Sequence, residues 1–443
     1  MNPGARAQAA IAILSDILGH HRPALAALRD WGRAHRFAGS ADRAAIGNIV
    51  LDALRKRASL SWRMEDDSPR ALVLGWLAFV AGHAVEDIAR MSALPHALAP
   101  LTEEERRRLA RPRALREAPA WVRGDYPEWL HEAFTRAFGD TAAEEGAALA
   151  TRAPLDIRAN ALKTTREKLA RHLARRQPAA TPFSPWGLRF HENAQGRLPN
   201  VEAEPAFQRG AFDIQDEGSQ IAALLSGARP GWQVLDYCAG GGGKTLALAA
   251  MMENTGQIHA HDADTARLAA IVPRLKRAGV RNAQLIRPHE KERLNRLEGR
   301  MDLVLVDAPC TGTGTWRRRP DAKWRLKPQA VELHVAAQRA ILARAASYVR
   351  PGGLLAYVTC SVLPAENAGQ ARAFLSAHKH FTALDWRAHA HLLAAAPEAL
   401  EAPGAPEVRD VPGTSADMPF LQLTPRRHGT DGFFIALFRR ADD

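Results

Sequence analysis

The stretch Val234–Thr245 constrains the fold of this chain more than any other segment. Its first residues form a short apolar strand pattern that ends at Asp236, four glycines follow, and an apolar helix pattern begins near Thr245. A strand, a glycine-rich turn and a helix in this order are typical of open parallel α/β sheets, which bind ligands at the carboxyl ends of their strands. The sequence therefore predicts a ligand site at this turn.

The chain from Gln215 onward alternates strand-like and helix-like segments, which is the pattern of a doubly wound sheet. Two further apolar strands, 303–307 and 354–359, resemble the first, because polar or thiol side chains follow at their ends. The three cysteines of the chain all lie at these strand ends: Cys238, Cys310 and Cys360. Their wide spacing predicts neither a disulfide framework nor a zinc site.

Three domains are expected along the chain. Residues 1–115 carry apolar positions at helical spacing and predict an all-helical domain. Residues 116–210 mix short strands and helices in a small α/β module, whose Arg158 and Lys163 would suit contact with an RNA backbone. Residues 211–443 hold the doubly wound sheet.

The chain is strongly basic, with a formal net charge of +12 and a pI of about 10.1. Such a charge indicates a polyanionic partner, most simply a nucleic acid, although a GC-rich coding bias would also favour Arg over Lys. The N-terminus carries no targeting pattern, and the longest uncharged run, 71–85, is too short to span a bilayer. We expect a soluble, cytoplasmic monomer with neither a membrane nor a metal partner.

Glycine-rich turns of this kind bind three types of ligand: nucleotide phosphates, dinucleotides and S-adenosylmethionine. A phosphate-binding P-loop requires a glycine where this chain has Cys238, and four consecutive glycines satisfy the dinucleotide spacing too easily to support that site. S-adenosylmethionine is favoured because Asp236, Asp262 and Asp307 each end a predicted strand. Asp262 lies at the distance from the turn at which an acid reaches ribose hydroxyls, or it caps the next helix, a task that Asp264 could also perform.

Two thiols beside a carboxylate and a cofactor turn favour one kind of chemistry, the methylation of a pyrimidine at C5. That carbon is a weak nucleophile until a thiolate adds to C6, and a proton must leave C5 before the thiol is expelled. A free thiol needs local help to ionise, and the extruded base needs a hydrogen bond to its ring nitrogen. Asp307 is placed for that hydrogen bond. The alternative for either thiol is a small buried apolar side chain.

Four motifs resemble those of the RNA 5-methylcytosine methyltransferases of the RsmB/Nop2/Sun family. They read Leu-Asp-x-Cys-Ala-x-x-Gly-Gly-Lys-Thr, Asp-Ala-Pro-Cys-x-Gly-Thr-Gly, Arg-Arg-x-Pro-Asp-x-Lys-Trp and Thr-Cys-Ser-Val-Leu-Pro-x-Glu-Asn. The similarity covers about residues 125–440, and the N-terminal helices resemble the NusB-like domain of the RsmB branch. The resemblance implies a methyltransferase sheet, mostly parallel with an antiparallel last strand.

By this resemblance Cys360 would be the nucleophile, and Cys310 would assist proton loss and product release. The residues that would line the cofactor site are Cys238, Ala239, Gly240, Gly241, Gly242, Gly243, Lys244, Asp262, His289 and Asp307. Two of them depart from the family pattern. Gly241 replaces a proline, and His289 stands where the family carries an Asp near the adenine, so that it would contact the adenine or lie free on the surface. Lys244 would cap a sheet-edge carbonyl or contact the base or cofactor.

The loop after Cys310 is rich in cations, and Arg317, Arg318 and Lys323 alternate there with tryptophans. Cations interleaved with aromatic side chains suit unpaired RNA, although a solvated loop has the same composition. We expect an RNA cytosine-C5 methyltransferase that acts through a covalent thiol adduct, with small-subunit ribosomal RNA as its target. A tRNA or DNA cytosine methyltransferase and a non-catalytic RNA-binding ribosome-assembly factor are the alternatives.

Overall fold

The computed structural model describes residues 1–193, 196–395, 397–400 and 419–442. They form two compact units, each built from two stretches of the chain. The first unit comprises Met1–Ala153 and Thr315–Lys327, and the second comprises Pro154–Gly314 and Pro328–Asp443. This division differs from the three expected domains, because residues 116–153 and the loop segment 315–327 belong to the helical unit.

The first unit is helical, as its apolar spacing predicts. Some of its helices begin at a side-chain cap: Asn2 accepts from Ala5 N, and Thr102 forms a capping box with Glu105. The helices are Pro3–His20, Ala24–Ala34, Ser40–Arg55, Arg57–Met64, Pro69–Phe79, Val85–Ser92, Glu103–Ala110, Ala120–Arg123, His131–Phe138, Ala142–Leu149 and Ala322–Arg325. The helices within residues 1–110 bury a cluster that includes Leu14, Val50 and Leu72. Phe134, Phe138 and Leu149 of the later helices are buried outside this cluster.

The second unit contains a small antiparallel sheet followed by a large one. The small sheet comprises β1 (Leu155–Ala159), β2 (Ala179–Ala180), β3 (Gly187–Phe190) and β4 (Phe212–Ile214), in the order β2-β3-β1-β4. Its β4 falls within the residues expected to begin the methyltransferase domain. The helix Arg166–His172 packs on this sheet through Leu169, which is buried with Ile157 and Phe190.

The large sheet is the doubly wound sheet that the strand and helix alternation predicts. Its strands are β5 (Gln233–Asp236), β6 (Gln257–His261), β7 (Ala283–Ile286), β8 (Met301–Asp307), β9 (Val349–Thr359), β10 (Phe381–Leu384), β11 (Leu421–Leu423) and β12 (Phe433–Arg440). The order is β10-β12-β9-β8-β5-β6-β7, and β11 pairs with β12. Strands β5 to β9 are parallel, and β12 enters antiparallel beside β9, which confirms the expected mainly parallel sheet and its antiparallel last strand.

Both faces of this sheet are buried. Along β8, Leu303 and Leu305 pack into one apolar cluster, whereas Val304 and Val306 pack into the cluster on the other face. A strand covered on both faces reads as a continuous apolar run, as this one does. The covering helices and the remaining helices of the unit are Pro205–Gln208, Glu217–Leu225, Gly243–Met251, Thr265–Ala269, Ile271–Ala278, Lys291–Asn295, Pro328–Ala346, Ala368–Ala377 and Pro425–His428.

Within the described part of the chain, no helix combines the length and the apolar character that a membrane span needs. The same residues contain no group of three or more His, Cys, Asp or Glu side chains that could hold a metal ion.

Candidate active site

The glycine turn joins β5 to the helix Gly243–Met251, as predicted. Gly242 has a φ of 81°, and a Cβ there would lie 3.0 Å from Ile271 Cγ1, so that both its conformation and its surroundings favour glycine. The carbonyl oxygen of Gly241, at the position without the usual proline, accepts a hydrogen bond from Arg274, which also pairs with Asp213. A side chain from the neighbouring helix thus fixes the turn that proline would otherwise stiffen.

Asp236 ends β5 directly before this turn and is fully buried. Its Oδ2 accepts a hydrogen bond from Thr245 Oγ1 at 2.7 Å, whereas its buried Oδ1 has no protein partner among the described residues. Burial raises the pKa of Asp236 to about 7. A buried carboxylate oxygen without a partner fits a nearby cationic group, such as the ammonium of a bound amino-acid moiety.

Asp262, at the end of β6, orders the same turn from the neighbouring strand. Its Oδ2 accepts from Gly240 N and its Oδ1 from Asp264 N, both at 2.8 Å. The helix Thr265–Ala269 is capped by Asp264, whose Oδ1 accepts from the N–H groups of its first turn. Asp262 is therefore not the helix cap. Each of its oxygens keeps a second lone pair for a ligand hydroxyl.

Cys310 and Cys360 lie together at the ends of the adjacent strands β8 and β9. Their Sγ atoms are 3.4 Å apart, and both thiols are free and partly accessible. The backbone holds the two loops together, because Gly314 N donates to Cys360 O at 2.9 Å. The predicted convergence of the two thiols is thus present in the structure.

The hydrogen bond to Cys360 and burial together raise the pKa of Cys310 well above its usual range. Cys310 is therefore a protonated thiol at neutral pH, within hydrogen-bonding distance of the Cys360 sulfur. Burial also raises the pKa of Cys238 above its usual range, which leaves the third cysteine unreactive at neutral pH.

Lys244 makes a contact that neither sequence interpretation anticipated. Its Nζ lies 2.6 Å from Asp307 Oδ2, and the lysine side chain is 5% exposed whereas that of Asp307 is 35% exposed. Lys244 therefore fixes one oxygen of Asp307, and the accessible carboxylate keeps further acceptor capacity toward a ligand. Sequence reasoning also missed Glu366, although it lies in the quoted Thr-Cys-Ser motif six residues after Cys360.

Three of the five predicted RNA-binding residues do not lie at the surface, and these assignments are corrected. Arg158 is 2% exposed and donates to Gln215 Oε1 at 2.6 Å. Arg317 and Lys323 are 4% and 1% exposed within the helical unit, where each has protein partners, so that neither is free to bind RNA.

The other predicted contacts are more accessible. Lys163 is exposed, and its Nζ donates to the carbonyl groups of Arg209 and Arg277. Arg318 is half-buried. His289 is exposed in the loop that follows β7.

The strand order, the glycine turn and the carboxylates that end β5, β6 and β8 define this protein as an S-adenosylmethionine-dependent methyltransferase. The family model for the 16S rRNA methyltransferase RsmB/F matches residues 223–439, and that for the RsmF/B-like ferredoxin-like domain matches residues 126–195. The chain belongs to the RsmB/Nop2/Sun family of methyltransferases.

The relatives agree with this assignment. The chain is 30% identical to "Ribosomal RNA small subunit methyltransferase B" of Thermus thermophilus, over 90% of this chain and 89% of that one. It is 33% identical to "Probable ribosomal RNA small subunit methyltransferase B" of Synechocystis, over 71% of this chain and 67% of the relative. It is 32% identical to "26S rRNA (cytosine-C(5))-methyltransferase nsun-1" of Caenorhabditis elegans, over 65% of this chain and 42% of the relative.

Two solved structures share the fold. PH0851 superposes with a TM-score of 0.72 at 24% identity and covers 99% of both chains. NSun6 from Pyrococcus horikoshii, solved with the S-adenosylmethionine analogue SFG, gives a TM-score of 0.59 at 24% identity over 72% of this chain and 99% of that one.

Proposed function

We propose that this protein methylates C5 of a cytosine in small-subunit ribosomal RNA through a covalent adduct with Cys360. The observation that carries the proposal is the 3.4 Å separation of the Cys310 and Cys360 sulfurs, just beyond the ends of β8, which ends at Asp307, and β9. Two thiols at one strand edge serve a reaction that needs both a nucleophile and a proton acceptor. The names of the relatives support ribosomal RNA as the substrate and cytosine C5 as the position.

S-adenosylmethionine, when bound at the glycine turn, supplies the methyl group that C5 accepts. Asp236, Asp262 and the turn residues 238–243 would hold it, because they offer an unpartnered buried carboxylate oxygen, acceptors for hydroxyls and a backbone without bulky side chains. Lys244 would contribute indirectly, by holding Asp307 at the edge of the same site.

The protein's own part of the reaction begins at Cys360. Its thiolate forms a bond to C6, and the displaced electron pair makes C5 nucleophilic enough to be methylated. The ring nitrogen of the extruded base takes up a proton as the adduct forms, and the Asp307 carboxylate accepts the hydrogen bond of that N–H until the proton leaves again when the adduct breaks down. Removal of the C5 proton by Cys310 then returns the electron pair to the ring, and the C6–S bond breaks to restore the Cys360 thiolate.

The proximity of the two sulfurs also bears on the role of Cys310 as a base. In the free protein the hydrogen bond to Cys360 and burial keep the pKa of Cys310 high. Once the Cys360 sulfur is bonded to C6, it carries no negative charge and no longer opposes loss of the Cys310 proton. We therefore expect Cys310 to pass its proton to solvent at this stage, and its thiolate then accepts the C5 proton.

The test uses Cys360→Ala, Cys310→Ala and, as a matched control, Cys238→Ala, each incubated with ribosomal RNA and S-adenosylmethionine. We expect Cys360→Ala to lose methyl transfer and Cys310→Ala to accumulate a protein–RNA adduct that survives a denaturing gel. Cys238 belongs to the cofactor turn, so that Cys238→Ala is a control for the adduct alone: it should accumulate no persistent adduct, whatever its rate of product formation. Methyl transfer by Cys360→Ala would show that the nucleophile is wrongly assigned, and bisulfite mapping of ribosomal and transfer RNA would identify the target.

A further inference from the structure

The Glu366 side chain links the two cysteine loops. It is fully buried, and its Oε1 accepts from Thr311 N at 2.8 Å and from Gln338 Nε2 at 3.1 Å. Its Oε2 accepts from Thr311 Oγ1 and from Ser361 Oγ, both at 2.5 Å. One carboxylate therefore receives four hydrogen bonds from three residues of different segments.

The positions of these partners relate Glu366 to the two thiols. Thr311 directly follows Cys310, and Ser361 directly follows Cys360. Each cysteine is thus one peptide bond from a residue that the same carboxylate holds. We propose that Glu366 is a positioning residue that keeps the Cys310 and Cys360 sulfurs at the separation that one pyrimidine ring requires, an inference that rests on the proposed function.

The chemistry of the partners explains why this position needs a carboxylate. All four groups are donors toward Glu366, and only an acceptor-only group with two oxygens satisfies them together. The backbone of Glu366 is fixed as well, because Tyr357 Oη donates to its carbonyl oxygen at 2.6 Å. Gln338 Nε2 also donates to Pro309 O at 3.0 Å, which anchors the Cys310 loop from its other side.

The first test measures the thiol pair without RNA or cofactor. Phenylarsine oxide condenses with two neighbouring thiols, forming two As–S bonds and releasing water, and so its capture by the purified full-length chain reports the distance between Cys310 and Cys360. In Glu366→Gln one oxygen becomes an NH₂ donor that faces the donor hydroxyls of Thr311 and Ser361. We expect capture to slow by about tenfold or more, since small displacements of reacting groups have large effects on rate.

Glu217→Gln is the matched control. Glu217 is also fully buried, and its Oε1 accepts from Phe183 N at 2.7 Å and Ser184 N at 2.9 Å, in the loop that precedes β3. Its substitution should disturb packing to a similar degree and leave arsenical capture at the wild-type rate. If Glu366→Gln does not fold, Thr311→Val removes a single hydroxyl donor to Glu366 and should slow capture in the same direction by a smaller factor.

The second test separates this inference from the proposed function. With ribosomal RNA, Glu366→Gln should lose on the order of 10²-fold in kcat while KM for RNA stays unchanged. If the wild-type protein methylates no RNA, the proposed function fails. The capture of phenylarsine oxide then still tests whether Glu366 holds the two sulfurs at their separation. If Glu366→Gln captures phenylarsine oxide at the wild-type rate, Glu366 does not position the two thiols. The same conclusion follows from a wild-type rate for Thr311→Val, if that is the variant that folds.

Discussion

A carboxyl group buried beside the glycine turn makes the stability of this protein depend on pH. The pKa of Asp236 is about 7 in the folded chain, above its usual value of 3.8, because burial disfavours its charge. Between these values the folded state binds more protons than the unfolded state, and so raising the pH costs stability. From pH 5 to pH 8 we expect a loss of about 2–3 kcal/mol that Asp236→Asn does not show. The measurement is the free energy of unfolding in urea for both proteins at each pH. If the two free energies change in parallel between pH 5 and pH 8, Asp236 is already ionised at pH 5 in the folded state.

One lysine makes the segment 315–327 an integral part of the helical unit. Lys323 Nζ donates to Arg55 O at 2.7 Å and Asp125 O at 2.5 Å, and burial lowers its pKa to about 7. Lys323→Met fills similar space but leaves both carbonyls without this donor, at a cost of about 1–3 kcal/mol. Between about pH 7 and pH 10 the unfolded chain keeps the proton of this lysine, whereas the folded chain loses it. The free energy of unfolding of the wild type should therefore rise with pH above pH 7. Its difference from that of Lys323→Met should be larger at pH 9 than at pH 7.

The control for this variant is Lys327→Met, an exposed lysine of the same segment. Its thermal unfolding midpoint should match the wild type at both pH values. Equal midpoints for Lys323→Met and the wild type would show that the buried lysine contributes nothing to the helical unit.

At the level of elements, the sequence predicted the strands that carry the thiols but not the tertiary contacts of the segment 315–327. The apolar runs and the glycine turn predicted β5, β8 and β9, and adjacent parallel strands then bring Cys310 and Cys360 together. The partners of Lys323 are the carbonyl groups of Arg55 and Asp125, which are 268 and 198 residues away along the chain. A basic segment reads as solvent-exposed unless those tertiary contacts are known. The pairing of Lys244 with Asp307, 63 residues apart, escaped prediction for the same reason.

For the whole molecule, the net charge of +12 predicts RNA binding that weakens steeply with salt. Lys163 is the predicted phosphate contact that remains exposed on the small sheet module, and Lys168 is an exposed lysine on the neighbouring helix Arg166–His172. A lysine that neutralises one phosphate contributes about 0.7–0.9 to the slope of log K against log salt. We therefore expect Lys163→Ala to reduce this slope by about one unit and Lys168→Ala to leave it unchanged.

Filter binding to ribosomal RNA between low and physiological salt measures both slopes. An affinity that does not change with salt would contradict charge-driven RNA binding by the protein as a whole, whereas a normal slope for Lys163→Ala would remove only that contact.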